Sequence, residues 1–302
     1  MACLIFRHEP ALQNPVLVTG FAGWANAAAL SLEVISQLES LLATDVIATL
    51  DAPECYMISK NSLLNRPIAT IRGGSIEDLR FPVTEVHALQ GAGTQPDLLF
   101  VRGVEPDLHW QEFMEALWTL ITRFDVKRVY TIGSYFDQLP HTRPPRISAV
   151  VSDPSLKSEL RQHHLDFTAY EGPTSIQTFL LWTCHQRQVE GISLWGSVPP
   201  YLQGMYPKGV VQVISILAQL VGLTLEMKPL QSWVAEFERA LQRQVAKNEE
   251  LATFVKQLET TYDQAVKEAD VLRGDEIVDE IQQFLRQRPR PGSAPPSSDP
   301  QV

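Results

Sequence analysis

Cysteine is scarce in this chain: three residues in 302, Cys3, Cys55 and Cys184, far apart and without ligand-type spacing. That excludes a disulfide framework and a cysteine-based zinc site, and predicts reduced, buried thiols in a cytoplasmic protein. Positive charge is also short, with 25 Lys and Arg against 35 Asp and Glu and a formal net charge of -10. Phosphate backbones are held by a basic face, so no nucleic-acid partner is expected. Long apolar runs are missing. The most apolar stretch, Val210 to Leu225, contains Gln212 and Gln219 and is too short to span a bilayer. Arg7, His8 and Glu9 interrupt the segment where a signal peptide would carry its apolar core. A soluble protein with no membrane partner is expected.

The usual cofactor and nucleophile patterns are absent too. There is no phosphate loop, and Gly91-Ala-Gly93 lacks the strand–helix context of a dinucleotide site. Phe136 stands where a nucleophile elbow at Ser134 needs a glycine. His163-His164 and His185 have no partners at metal-ligand spacing. No cofactor and no metal are expected.

What is present is a strand–helix alternation from Val16 to Leu223, the pattern of one α/β domain. Short apolar, β-branched runs predict strands at Val16–Thr19, Val46–Leu50, Ile68–Ile71, Val83–Leu89, Asp97–Val101, Val129–Ile132, Ile147–Val151 and Ile192–Val198. Gly133-Ser134 is expected to end the central strand and deliver its loop to a crevice. Helices are expected from Trp24 to Leu42, from Pro106 to Phe124, near Pro154–His163, from Pro173 to His185, and at Gly209–Leu220. From Pro229 the composition shifts: Trp233, Phe237, Leu241 and Val245, then Leu251, Phe254, Leu258 and Tyr262, mark a narrow apolar stripe. That predicts one long amphipathic helix, or a hairpin of two if Lys247-Asn248 turns, packed back on the domain or on a partner helix in coiled-coil manner. The expected divisions are therefore 1–228, 229–285, and a disordered Pro- and Ser-rich tail at 286–302.

Polar side chains gather in the loops. His141 and Arg143 lie between Pro140 and Pro144-Pro145, and proline stiffens the backbone that presents them. Glu105 and His109, beside Trp110, follow a strand and precede a helix; Tyr170 and Glu171 share that layout. Carboxylates at helix starts cap free N–H groups, and here they would also repel a phosphate unless Arg143 neutralised them. One reading is a buried pair of Arg143 with Glu171 or Glu105 that locks loops together. The other is a hydroxyl- or amine-bearing ligand held between the carboxylates and His141. In that enzyme-like version His141 is the general acid or base, Arg143 stabilises negative charge, and Glu171 or Glu105 orients the imidazole. Trp24, Asn26, Trp195 and Tyr201 fall in strand-end turns near the same crevice.

Five motifs in order resemble one family: Gly20-Phe-Ala-Gly-Trp24, Gly103-Val-Glu-Pro-Asp-Leu-His-Trp-Gln-Glu-Phe113, Pro140-His-Thr-Arg-Pro144, Tyr170-Glu-Gly-Pro-Thr-Ser-Ile176 and Ser193-Leu-Trp-Gly-Ser-Val-Pro-Pro-Tyr201. Together they look like the proteasome assembly chaperone family in its prokaryotic branch, over about Val16 to Tyr262. The resemblance implies a three-layer α/β/α sandwich with the layout of nucleoside phosphorylases, a tendency to form homo-oligomers, and protein clients. Two departures stand out. Ala25-Asn-Ala-Ala lacks the Asp that the family commonly has there, and the ending Asp299-Pro-Gln-Val302 lacks the hydrophobic-Tyr-any signature of some proteasome partners. Docking on a proteasome through the tail is therefore not expected.

Overall fold

Alternation within the strands decides which layer each side chain joins. Leu17, Leu99 and Val129 enter one core, while their neighbours Val18, Phe100 and Tyr130 enter the other. The computed structural model describes residues 2–58, 66–163 and 165–267. His164, the expected helix beyond 267 and the tail at 286–302 lie outside the described residues.

The strands are β1 (Cys3–Phe6), β2 (Val16–Ala22), β3 (Asp45–Asp51), β4 (Ile68–Arg72), β5 (Ser75–Arg80), β6 (Thr84–Leu89), β7 (Leu98–Val104), β8 (Arg128–Phe136), β9 (Ile147–Val151), β10 (Asp166–Phe167) and β11 (Glu190–Val198). The helices are α1 (Leu30–Leu42), α2 (Trp110–Arg123), α3 (Lys157–Leu160), α4 (Ile176–Arg187), α5 (Pro207–Val221) and α6 (Lys228–Val245). A further helix, α7, covers 249–267.

One large sheet runs in the order β1-β3-β6-β7-β2-β8-β11-β9-β10. Its centre, β7-β2-β8-β11, is parallel; β1, β3, β6 and β9 join by antiparallel pairs. Helices α1 and α5 cover one face through Leu30, Val34, Val210 and Val213. Helices α2 and α4 cover the other through Phe113, Leu117, Ile176 and Leu180. This is the three-layer α/β/α sandwich expected from the motifs.

Four local expectations need correction. The central strand does not end at Gly133-Ser134: β8 continues beside β11 to Phe136. Gly133 is there because the indole of Trp195 lies over it, 2.7 Å from where a Cβ would stand. Residues 24–29 are not the first turns of a helix; the chain is looped there and α1 begins at Leu30. Gly73 and Gly74, both with positive φ, turn β4 into β5, a strand not foreseen. Cys3, finally, is exposed, whereas Cys55 and Cys184 are buried.

The C-terminal segment is a hairpin. Ala246 to Asn248 turn the chain, and Asn248 Oδ1 accepts the N–H of Leu251 at 3.0 Å, capping α7. Leu230 and Leu241 of α6 and Tyr262 of α7 join the core that α5 covers. Leu258 and Tyr262 of the distal stripe are thus covered within the chain, while Phe254 stays exposed beside the Tyr201 ring.

Candidate functional site

Glu105 is the junction of the sheet's carboxyl edge. Its Oε2 accepts the N–H of Trp24 at 2.9 Å and its Oε1 accepts the N–H of Ile176 at 2.8 Å. The carboxylate therefore caps the start of α4, not the helix that follows it in sequence, and ties that start to the turn after β2. Gly23 permits this, since its φ is +150° and a Cβ would sit 2.4 Å from Glu105 Oε2. A helix N-terminus ordinarily attracts anions. Here the chain supplies the anion itself.

The Pro140–Pro144 loop is closed by the C-terminal hairpin. Arg143 grips Asp263 in α7 with two bonds, Nε–Oδ1 and Nη2–Oδ2, both 2.7 Å. Glu259 stands 3.6 Å from the same guanidinium and accepts the Thr142 hydroxyl at 2.5 Å. The hydrogen bonds from Arg143 hold the Asp263 carboxyl below the usual carboxylate range. Tyr262 donates to the Pro144 carbonyl at 3.1 Å, while Arg146 lies over its ring. Arg143 thus pairs with neither Glu171 nor Glu105, and at 31% exposure it is not buried.

His141 is buried, and both its backbone N–H and its Nδ1 meet one hydroxyl. Its backbone N–H donates to the Tyr201 hydroxyl at 2.7 Å, and its Nδ1 lies 2.6 Å from the same oxygen. In the tautomer where the hydroxyl donates to Nδ1, the imidazole proton is on Nε2. Burial, and then the charge of Lys208, push the imidazole below its ordinary pKa. Burial pushes the Tyr201 phenol up to about 12. Buried against Tyr201 and absent from the cleft lining, the ring has no open face toward a substrate. The two buried thiols are poor nucleophiles for a similar reason, Cys184 being pushed up to about 12 by burial.

A cleft of about 650 Å³ opens over the carboxyl ends of β2, β8 and β11. Its wall is the loop Gly23–Ala28, and its floor and rim include Tyr135, Phe136, Ser148 and Trp195. Trp24, 61% exposed, and Phe136, 54% exposed, stand in it as open aromatic faces. The wall is strained and stitched in place. Ala28 and Ala29 have φ of 51° and 55°, a conformation costing an L-residue about 1–2 kcal/mol. Asn26 Oδ1 accepts the N–H of Ser31 at 2.9 Å, so Asn26 caps α1. The N–H of Ser134 donates to the Ala25 carbonyl and its hydroxyl to the Ala27 carbonyl, both at 3.0 Å.

The expected site residues therefore separate. Trp24, Asn26 and Tyr170 belong to the cleft, Glu105 to the junction behind it, and His141, Arg143 and Tyr201 to the closed loop. Tyr170 is exposed and bonds the Pro173 carbonyl; Glu171 is exposed. His109 stands at the start of α2 without a side-chain capping bond, exposed and 3.4 Å from Glu112, and Trp110 packs its ring on Phe179. Tyr135, Phe136 and Ser148 were not foreseen, because reading Gly133-Ser134 as a break hid the strand that carries two of them. Asp263 and Glu259 were hidden differently, since a helix rich in Glu, Gln and Lys gives no sign of which carboxylate is used. Among the described residues no group of three His, Cys, Asp or Glu side chains is placed to hold a metal. No described helix is long and apolar enough to cross a membrane.

The model of the PAC2 family matches residues 17–245, from β2 through α6. A solved PAC2 family protein from Streptomyces avermitilis is 30% identical, with TM-score 0.70, covering 80% of this chain and 99% of its own. A protein of unknown function from Mycobacterium tuberculosis is 26% identical, with TM-score 0.79 and coverages of 90% and 92%. A proteasome-assembly chaperone homologue from the same organism is 25% identical, with TM-score 0.71 and coverages of 80% and 99%. No curated protein matches the chain. With more than half of its length matched and the motifs of the sheet edge in place, the chain belongs to the PAC2 family.

Proposed function

We propose that the chain is a cytoplasmic, proteasome-assembly-chaperone-like protein that works through protein–protein contacts, with self-association as the first of them. The observation that carries this is the β4–β5 ribbon. Opposed residues of an antiparallel pair share a face, so Ala69 with Leu79 and Ile71 with Ile76 make one apolar surface. Ile71 and Ile76 are 66% and 67% exposed, and the whole of β5 is exposed. A two-stranded ribbon is marginal alone, and an uncovered apolar face marks a contact site. The ribbon's charges pair with one another, Arg72 with Glu77 and Arg80 with Asp78, which leaves the apolar face to make the contact.

Likeness to a proteasome-assembly chaperone homologue supports the chaperone-like part of this reading. The pairing of His141 and Arg143 within the chain favours contacts over catalysis. Sedimentation of wild type and of the double variant Ile71→Ser, Ile76→Ser tests it. Wild type should exceed the 33.9 kDa of one chain, and the variant should fall to that mass. Wild type sedimenting at one chain's mass at every concentration would contradict the proposal.

A further inference from the structure

The aromatic cleft points to a second role that does not rest on self-association. We infer that it binds a small uncharged ring compound, aromatic or heteroaromatic. Its position is the first reason. In open α/β sheets ligands sit beyond the carboxyl ends of the strands where the chain's path reverses direction. From β2 the chain moves to β3 on one side, and from β8 it moves to β9 and β11 on the other. The loop after β2 and the end of β8 form this cleft, and Asn26 and Ser134 bridge them. Its volume, about 650 Å³, suits a ligand of that class.

The lining decides the chemistry. Trp24, Tyr135, Phe136 and Trp195 offer ring faces for stacking, and none of the described lining residues is charged. The hydroxyls of Ser134 and Ser148 also line it but are already used, Ser134 donating to the Ala27 carbonyl and Ser148 bonded to Tyr135, so stacking on the rings carries the recognition. An anion is disfavoured for a structural reason. The helix start that would hold it, at Ile176, is already bonded by Glu105, whose charge lies directly behind Gly23 and Trp24.

The test uses two probes with one ring system: neutral N-phenyl-1-naphthylamine, and 8-anilinonaphthalene-1-sulfonate, which adds a negative charge. The full chain should bind the neutral probe saturably, one per chain, with energy transfer from tryptophan. The sulfonate should bind at least tenfold more weakly. Trp24→Ala with Phe136→Ala should weaken the neutral probe at least tenfold while leaving the unfolding midpoint unchanged, because both side chains are largely exposed. Thr178→Trp, at an exposed lining position, should block it by filling the space. The ribbon variant Ile71→Ser, Ile76→Ser should bind as wild type does, which separates this site from the association surface. No saturable binding, equal binding of both probes, or unchanged binding in both cleft variants would overturn the inference.

Discussion

Two loops leave neighbouring parallel strands at the same sheet edge and meet opposite fates. The loop after β8 carries His141, Thr142 and Arg143, and each finds its partner inside the chain, in Tyr201, Glu259 and Asp263. The loop after β2 carries Trp24, Asn26 and four alanines, and it walls the open cleft. The polar loop is shut and the apolar one is accessible. Buried polar groups need partners, so a dense polar motif between prolines is as much a demand for internal pairing as a sign of chemistry. An aromatic left at 61% exposure, as Trp24 is, has no such demand met.

Breaking the closure should have the largest effect. A chain ending at Ala246 loses Val255, Leu258 and Tyr262, all buried. At roughly 1.5–3 kcal/mol for each buried side chain, stability should fall by on the order of 5 kcal/mol. Urea unfolding measures this, and an unchanged midpoint would mean that α7 does not hold the loop. Light scattering of the same truncation should show an unchanged assembly mass, because α7 packs on its own chain.

A third polar group sharpens the contrast, being buried yet incompletely paired. Glu39 of α1 lies 3.2 Å from Arg102 of β7 and 3.5 Å from His87 Nε2 of β6, with Glu85 beyond. Arg7, after β1, adds a smaller charge effect on His87. Burial pushes the Glu39 carboxyl up to about 7, against the pull of Arg102. The folded acid keeps its proton to higher pH than the unfolded one, near 4.5, so this group costs stability as pH rises between those values. Glu39→Gln should therefore gain on wild type by about 1–3 kcal/mol from pH 5 to 7.5. Burial depresses His87, whose separate loss of stability at lower pH is common to both proteins. Parallel stability–pH curves would show that Glu39 is ionised when folded.

The sandwich was legible because the strands Val16–Ala22, Leu98–Val104 and Glu190–Val198 are apolar and β-branched, and the long helices carry their own periodicity. What escaped was long-range pairing. Asp263 lies 120 residues from Arg143, and nothing local distinguishes it from the carboxylates around it. Gly133 misled because a glycine in a strand reads as a break, whereas here it makes room for the indole of Trp195 on the next strand. Of the two carboxylates offered for Arg143, Glu105 was already bonded to two backbone N–H groups and Glu171 points to solvent.

The most direct test is hydrogen exchange in Arg143→Ala compared with wild type, followed amide by amide. A latch predicts that residues 249–267 exchange at least tenfold faster in the variant while β8 and β11 keep their protection. Unchanged protection in 249–267 would contradict the latch and return Arg143 to the surface as a group free for other chemistry.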